Sequence, residues 1–171
     1  MPASVRRCHG LFAAVLALFC LALPGAVQAD GRTAAYLSFG PDYGGRSSEI
    51  WRRAVATGEI RSGRTALAGL RPVYSFAVTR RGGVMAGAGL HTGLQLGAVE
   101  VTPHFSVLLW QDGRGGFTTR ELVQFRTGID LFVPLSRDTS VGLGYYHVSN
   151  AGLTRRSANL DVLRLGVLWR Y

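Results

Sequence analysis

After Asp30 the chain alternates between apolar and polar or small residues, with the two-residue period of β-strands and little helical periodicity. In the last segment Leu163, Leu165, Val167, Trp169 and Tyr171 share one face, opposite Arg164, Gly166, Leu168 and Arg170. From Thr139, Val141, Leu143 and Tyr145 alternate with Ser140, Gly142 and Gly144. Ala86, Ala88, Leu90, Leu94 and Leu96 oppose Gly87, Gly89, His91, Gly93 and Gln95. Val101, Phe105, Val107 and Leu109 oppose Glu100, Thr102, His104 and Ser106. Val123, Phe125, Ile129, Leu131 and Val133 oppose Gln124, Arg126, Gly128 and Asp130. Eight strands are predicted, near 33–40, 47–57, 65–79, 83–97, 98–111, 120–134, 139–149 and 160–171; the second also reads as a short helix. Turn signals at Arg81-Gly82-Gly83, Asp112 to Gly116 and Ser136-Arg137-Asp138 separate them.

Two architectures give such alternation. A soluble sandwich or lipocalin-like barrel turns its apolar face inward, whereas a membrane barrel turns it outward around a polar interior. The segments are about ten residues long, enough for a tilted strand to cross the hydrocarbon. The non-apolar face carries Arg, Asp, Glu, His and Gly, which suits a narrow lumen with internal ion pairs, Arg126 with Asp130 among the candidates. The chain closes on Trp169-Arg170-Tyr171, which looks like the assembly signal of bacterial outer-membrane barrels. The expected fold is therefore all-β, an eight-stranded antiparallel transmembrane β-barrel with both ends on the periplasmic side.

Residues 1–29 have another character. Arg6 and Arg7 precede an apolar run from Leu11 to Leu23, Pro24 and Gly25 break it, and Val27-Gln28-Ala29 offers small residues at cleavage positions. This reads as a signal peptide cut after Ala29, leaving residues 30–171 as the barrel domain. The run is short for a membrane anchor. Both cysteines, Cys8 and Cys20, leave with it, and with them any disulfide or thiol chemistry.

Composition then sharpens the picture. The 171 residues carry a formal net charge of +9, and all 19 basic residues are arginine. Such charge suggests nucleic acid, but no zinc-finger, helix-turn-helix or RNA-binding motif accompanies it. Hydrophobic residues make up 47%, too many for a disordered basic tail. The 23 glycines fit a crowded barrel interior. Arg52, Arg53, Arg80, Arg81, Arg155 and Arg156 fall near strand ends and loops; most read as solvated surface, and some could grip lipid phosphates, which a guanidinium does bidentately. No metal-ligand spacing joins His91, His104 and His147; the first two have lumen parity and read as hydrogen-bonded interior groups.

His147 and Ser149 stand out because they have the parity of Val141, Leu143 and Tyr145, which places them on the lipid side. Side chains two apart on a strand face are separated by about 6.5 Å, within reach of a ring and a hydroxyl. Asp161 shares parity with Leu163 and lies at the matching end of the last strand. A hydroxyl, an imidazole and a carboxylate converging on the outer wall are the parts for acyl transfer: Ser149 attacks, His147 takes its proton, Asp161 orients the ring. The bland reading places these polar groups in the headgroup zone, where they cost little.

The run His147-Val148-Ser149-Asn150-Ala151-Gly152-Leu153, with an acidic residue fourteen positions after the histidine, resembles the lipid A 3-O-deacylases of the PagL type. The resemblance covers roughly the last 50 residues; upstream only size and pattern match. It implies an eight-stranded bacterial outer-membrane barrel, a membrane-facing Ser-His-acid triad, lipid A or lipopolysaccharide as substrate, and no metal or other cofactor. It also implies that Asn150 and the Gly152 N–H form an oxyanion hole. The family's acid is Glu, whereas this chain has Asp161, one methylene shorter; Glu121 is the alternative acid. A monomer and a homodimer are both compatible with such a barrel. The competing functional readings are a non-catalytic structural or adhesive barrel and a different outer-membrane lipid esterase or acyltransferase.

Overall fold

A computed structural model describes residues 31–43, 54–111, 122–153 and 159–171. The signal-peptide reading of residues 1–29, the alternative acid Glu121, and Arg52, Arg53, Arg155 and Arg156 lie outside these residues.

The strands are β1 (Ala34–Pro41), β2 (Ala54–Arg61), β3 (Arg71–Thr79), β4 (Val84–His91), β5 (Leu94–Leu96), β6 (Val99–Gln111), β7 (Val123–Pro134), β8 (Thr139–Ser149) and β9 (Leu160–Arg170). Every neighbouring pair is antiparallel, β1 pairs with β9, and β4 and β5 both pair with β6, so the sheet closes on itself. Because β4 and β5 follow one another along the same side of β6, the barrel has eight staves. Among the described residues the ring of β1–β4 and β6–β9 is paired on both sides of every strand, which a membrane-spanning sheet requires because lipid cannot satisfy a free N–H or C=O.

Two expected boundaries move. The second strand begins at Ala54 and runs to Arg61, later than 47–57. Its far half carries Glu59 and Arg61, whose inward charges conceal the alternation of an otherwise small-residue strand. The third begins at Arg71 and not at 65. Residues 66–70 instead form a turn, with Ala66 N–H bonded to Leu70 C=O at 2.8 Å and left-handed backbone at Ala68 and Gly69.

The apolar face points outward. Leu37, Phe39, Tyr74, Phe76, Leu109, Leu143, Leu165 and Trp169 are among its exposed side chains. The interior is filled in layers. In the middle Glu59 accepts from Arg61 at 2.6 Å, Arg164 at 2.6 Å and Arg126 at 2.9 Å. Asp130 accepts from Arg164 in a two-pronged contact of 2.9 and 2.7 Å and also from Arg61. The Arg126–Asp130 pair expected from sequence does not form. Four residues along one strand is about 13 Å, so each residue takes partners from other strands. The Arg164 guanidinium also lies over the rings of Tyr36 and Tyr146, 4.8 and 5.0 Å from their centroids. A Cβ on inward-facing Gly144 would lie 1.8 Å from an Asp130 carboxylate oxygen, so glycine is what admits this layer. His91 and His104 are buried in the interior.

Toward the end where β8 leaves and β9 enters, the interior holds an apolar cluster beside buried Arg126, Ser106 and Gln124. Val55, Ala77, Met85, Leu108, Tyr146, Val148, Leu160 and Val162 pack into one cluster there. Both ends of the barrel domain lie at the opposite end, where Tyr171 N–H bonds Thr33 C=O at 2.9 Å.

Candidate active site on the outer wall

On β8 and β9 the pattern inverts within one strand. Up to Tyr145 and Leu163 the outward residues are apolar and the inward ones small or polar apart from Leu168; beyond them Tyr146, Val148, Leu160 and Val162 pack into the interior. Strict alternation then leaves His147, Ser149 and Asp161 on the outer wall. Their position at the strand ends keeps this tolerable: a charged group on the lipid face costs about 2–4 kcal/mol at the midplane but only about 0–1 kcal/mol near the interface.

The register sets the chemistry. His147 faces Asp161 directly across the β8–β9 ladder, and Phe125 of β7 faces Ser149. His147 Nδ1 lies 2.8 Å from Asp161 Oδ1. An ionised carboxylate can only accept, so Nδ1 carries the proton and, in the neutral ring, Nε2 holds the free lone pair. Both side chains are about one-third exposed, at 35% and 29%. Ser149 lies two residues further along the same face, half-buried, at the last position of β8. Among the described residues no hydrogen bond joins its hydroxyl to the His147 ring.

The chain then turns sharply. Asn150 is buried; its Oδ1 accepts the Gly152 N–H at 3.0 Å and its C=O accepts the Leu153 N–H at 3.0 Å. Ala151 and Gly152 both have left-handed backbone, with φ of 52° and 81°. Glycine adopts this at no steric cost, whereas Ala151 is held there against its preference. The two oxyanion candidates are thus bonded to each other across one tight turn beside Ser149.

Three further residues meet Asp161. The Tyr145 hydroxyl donates to Asp161 Oδ1 at 2.5 Å. Asp161 N–H donates to Asp42 Oδ1 at 3.0 Å, and Tyr43 N–H donates to Asp161 C=O at 2.6 Å. In the sequence Tyr145 belongs to the apolar face with no role of its own, and neither Asp42 nor Tyr43 stands out. Parity could have flagged Tyr145, which is two residues from His147 on one face and so diagonal to Asp161, a separation an aromatic side chain spans. Nothing in the sequence near Asp42 announces its contact, since it depends on barrel closure between β1 and β9. Among the described residues no group of three His, Cys, Asp or Glu side chains is gathered to hold a metal ion.

No family model and no curated protein matches the chain. Among solved structures it is similar to a de novo designed transmembrane β-barrel, at 9% identity and a TM-score of 0.57, covering 84% of this chain and 98% of that one. It is also similar to the outer membrane protein Ail of Yersinia pestis in a phospholipid bilayer nanodisc, at 11% identity and a TM-score of 0.54, covering 83% and 100%. A third is the outer membrane enzyme PagL, at 14% identity and a TM-score of 0.56, covering 80% and 98%. At these identities the likeness establishes the fold, that of an eight-stranded transmembrane β-barrel of the outer-membrane type.

Proposed function

We propose that this barrel resides in a bacterial outer membrane and hydrolyses the ester-linked acyl chain at the 3-position of lipid A. The observation that carries the reading is the 2.8 Å His147–Asp161 hydrogen bond on the outer wall, with a serine two residues along the same face. A barrel built only to span the membrane gains little from such a pair on its lipid side, and a lipid ester reaches that face without leaving the membrane.

In this reading Ser149 Oγ attacks the acyl carbonyl while His147 Nε2 takes the hydroxyl proton. Asp161 keeps the ring in the required tautomer and stabilises the imidazolium that forms. The tetrahedral oxyanion takes over the Gly152 N–H from Asn150 and is held in the tight turn. Collapse expels the sugar oxygen, which leaves with the proton from His147, and the acyl group stays on Ser149. Water, deprotonated by His147, then releases the fatty acid and restores the serine. The open Ser149–His147 contact is compatible with this cycle, because catalytic hydrogen bonds in substrate-free enzymes are often long and tighten on binding.

Mass spectrometry of lipid A from cells expressing the chain tests this. Loss of one 3-hydroxyacyl group, abolished by Ser149→Ala and by His147→Ala, is expected. Unchanged lipid A despite folded, membrane-inserted protein overturns the proposal. Acyl loss from glycerophospholipid instead assigns the site to another lipid esterase.

A further inference from the structure

The acid of the proposed triad is held by more than its histidine. Asp161 Oδ1 receives two donors at once, His147 Nδ1 at 2.8 Å and the Tyr145 hydroxyl at 2.5 Å. Its main chain is pinned independently from β1, by Asp42 Oδ1 on its N–H and by Tyr43 N–H on its C=O. The backbone contacts fix where the Asp161 Cα lies. They do not fix how the carboxylate turns about its own side-chain bonds, and a carboxylate 29% exposed at the barrel wall has water to turn toward.

Resting on the hydrolytic reading above, we infer that Tyr145 is a positioning residue: its hydroxyl holds the short Asp161 carboxylate against the His147 ring. Tyr145 lies one step deeper on β8 than His147, paired across the ladder with Leu163, and it reaches diagonally to the acid. A tyrosine serving only as an interfacial anchor sends its hydroxyl to headgroup water. This hydroxyl is instead committed sideways to the carboxylate oxygen that orients the base. The phenol donates and keeps its proton, so it fixes the acid without neutralising it. It also removes a rotational freedom that a longer acidic side chain could spend on reaching the ring unaided.

Tyr145→Phe keeps the ring in the membrane interface and deletes only the hydroxyl, so folding should be unaffected, as heat-modifiable migration on a gel reports. Acyl release from micellar lipid A by the purified full chain is the assay. The expected result is a fall in kcat on the order of tenfold with KM unchanged, less than the roughly hundredfold cost of a 1 Å misplacement. In an Asp161→Glu background the same substitution should cost less than about threefold, because the extra methylene lets the acid reach His147 without help. If the wild type cleaves, Ser149→Ala does not, and Tyr145→Phe keeps full kcat, the inference fails and the hydrolytic reading stands. A rise in KM with unchanged kcat assigns Tyr145 to lipid anchoring and likewise overturns it. A folded wild type that releases no acyl chain overturns the hydrolytic reading, and the positioning role falls with it.

Discussion

His147 and Asp161 face each other in direct register across β8 and β9, with Nδ1 2.8 Å from Oδ1, so a strand pairing fixes the tautomer of the proposed base. This separates orientation from charge. Asp161→Asn preserves shape but presents a side chain that can also donate, which lets the ring adopt the tautomer with its lone pair turned away from Ser149. The expected outcome is a loss of kcat of roughly 10⁴, the size seen when a triad acid is amidated. Steady-state kinetics on lipid A checks it. If Asp161→Asn retains near-full turnover while Glu121→Ala loses it, the acid has been misassigned.

The interior makes a different demand. Glu59 accepts from three guanidinium groups inside the barrel, from Arg61, Arg126 and Arg164. Glu59→Gln leaves those three buried cations with Asp130 as the remaining carboxylate of the layer. Removing one partner of a buried pair costs about 3–5 kcal/mol because the other charge is left uncompensated. Asp138→Asn is the matched control. It breaks the half-exposed Arg32–Asp138 pair at the turn between β7 and β8, worth about 0–1 kcal/mol. Denaturant unfolding in lipid or detergent should therefore rank Glu59→Gln far below Asp138→Asn, and equal midpoints would contradict the layered interior.

Much of this architecture could be read from the chain because one physical rule, strict alternation with an apolar outer face, governs β6 to β9. The same rule puts His147, Ser149 and Asp161 on one wall. It faltered at β2, where small residues and inward Glu59 and Arg61 carry no apolar stripe. It could not assign ion pairs either. Arg126 and Asp130 share a face and opposite charge, yet their partners come from β2 and β9, brought near only by closure. For the same reason Asp42 stayed hidden: it meets Asp161 only because the first and last strands pair. Tyr145 was hidden by chemistry, since a tyrosine amid apolar neighbours reads as an interfacial aromatic until its hydroxyl is seen to have a partner.

The direction of the apolar face decides whether a lipid can reach His147 and Ser149, and one substitution series tests it. Leu143 and Leu165 pair across β8 and β9 in mid-strand, with 48% and 60% exposure. In a soluble barrel an outward leucine faces water, and Leu165→Arg would change stability by no more than about 0.5 kcal/mol, as surface substitutions generally do. In a bilayer the same change buries a cation at the midplane and costs about 2–4 kcal/mol. Ser149→Arg, on the same wall but at the strand end, should cost no more than about 1 kcal/mol, since that penalty fades toward the interface. The informative quantity is the difference between the two variants in unfolding from lipid vesicles. A penalty at 165 exceeding that at 149 by 1 kcal/mol or more places the outer wall in hydrocarbon and the His147–Asp161 pair near its edge, where an ester-linked chain enters the membrane. Equal penalties would take the wall out of the membrane and remove the lipid substrate from the site.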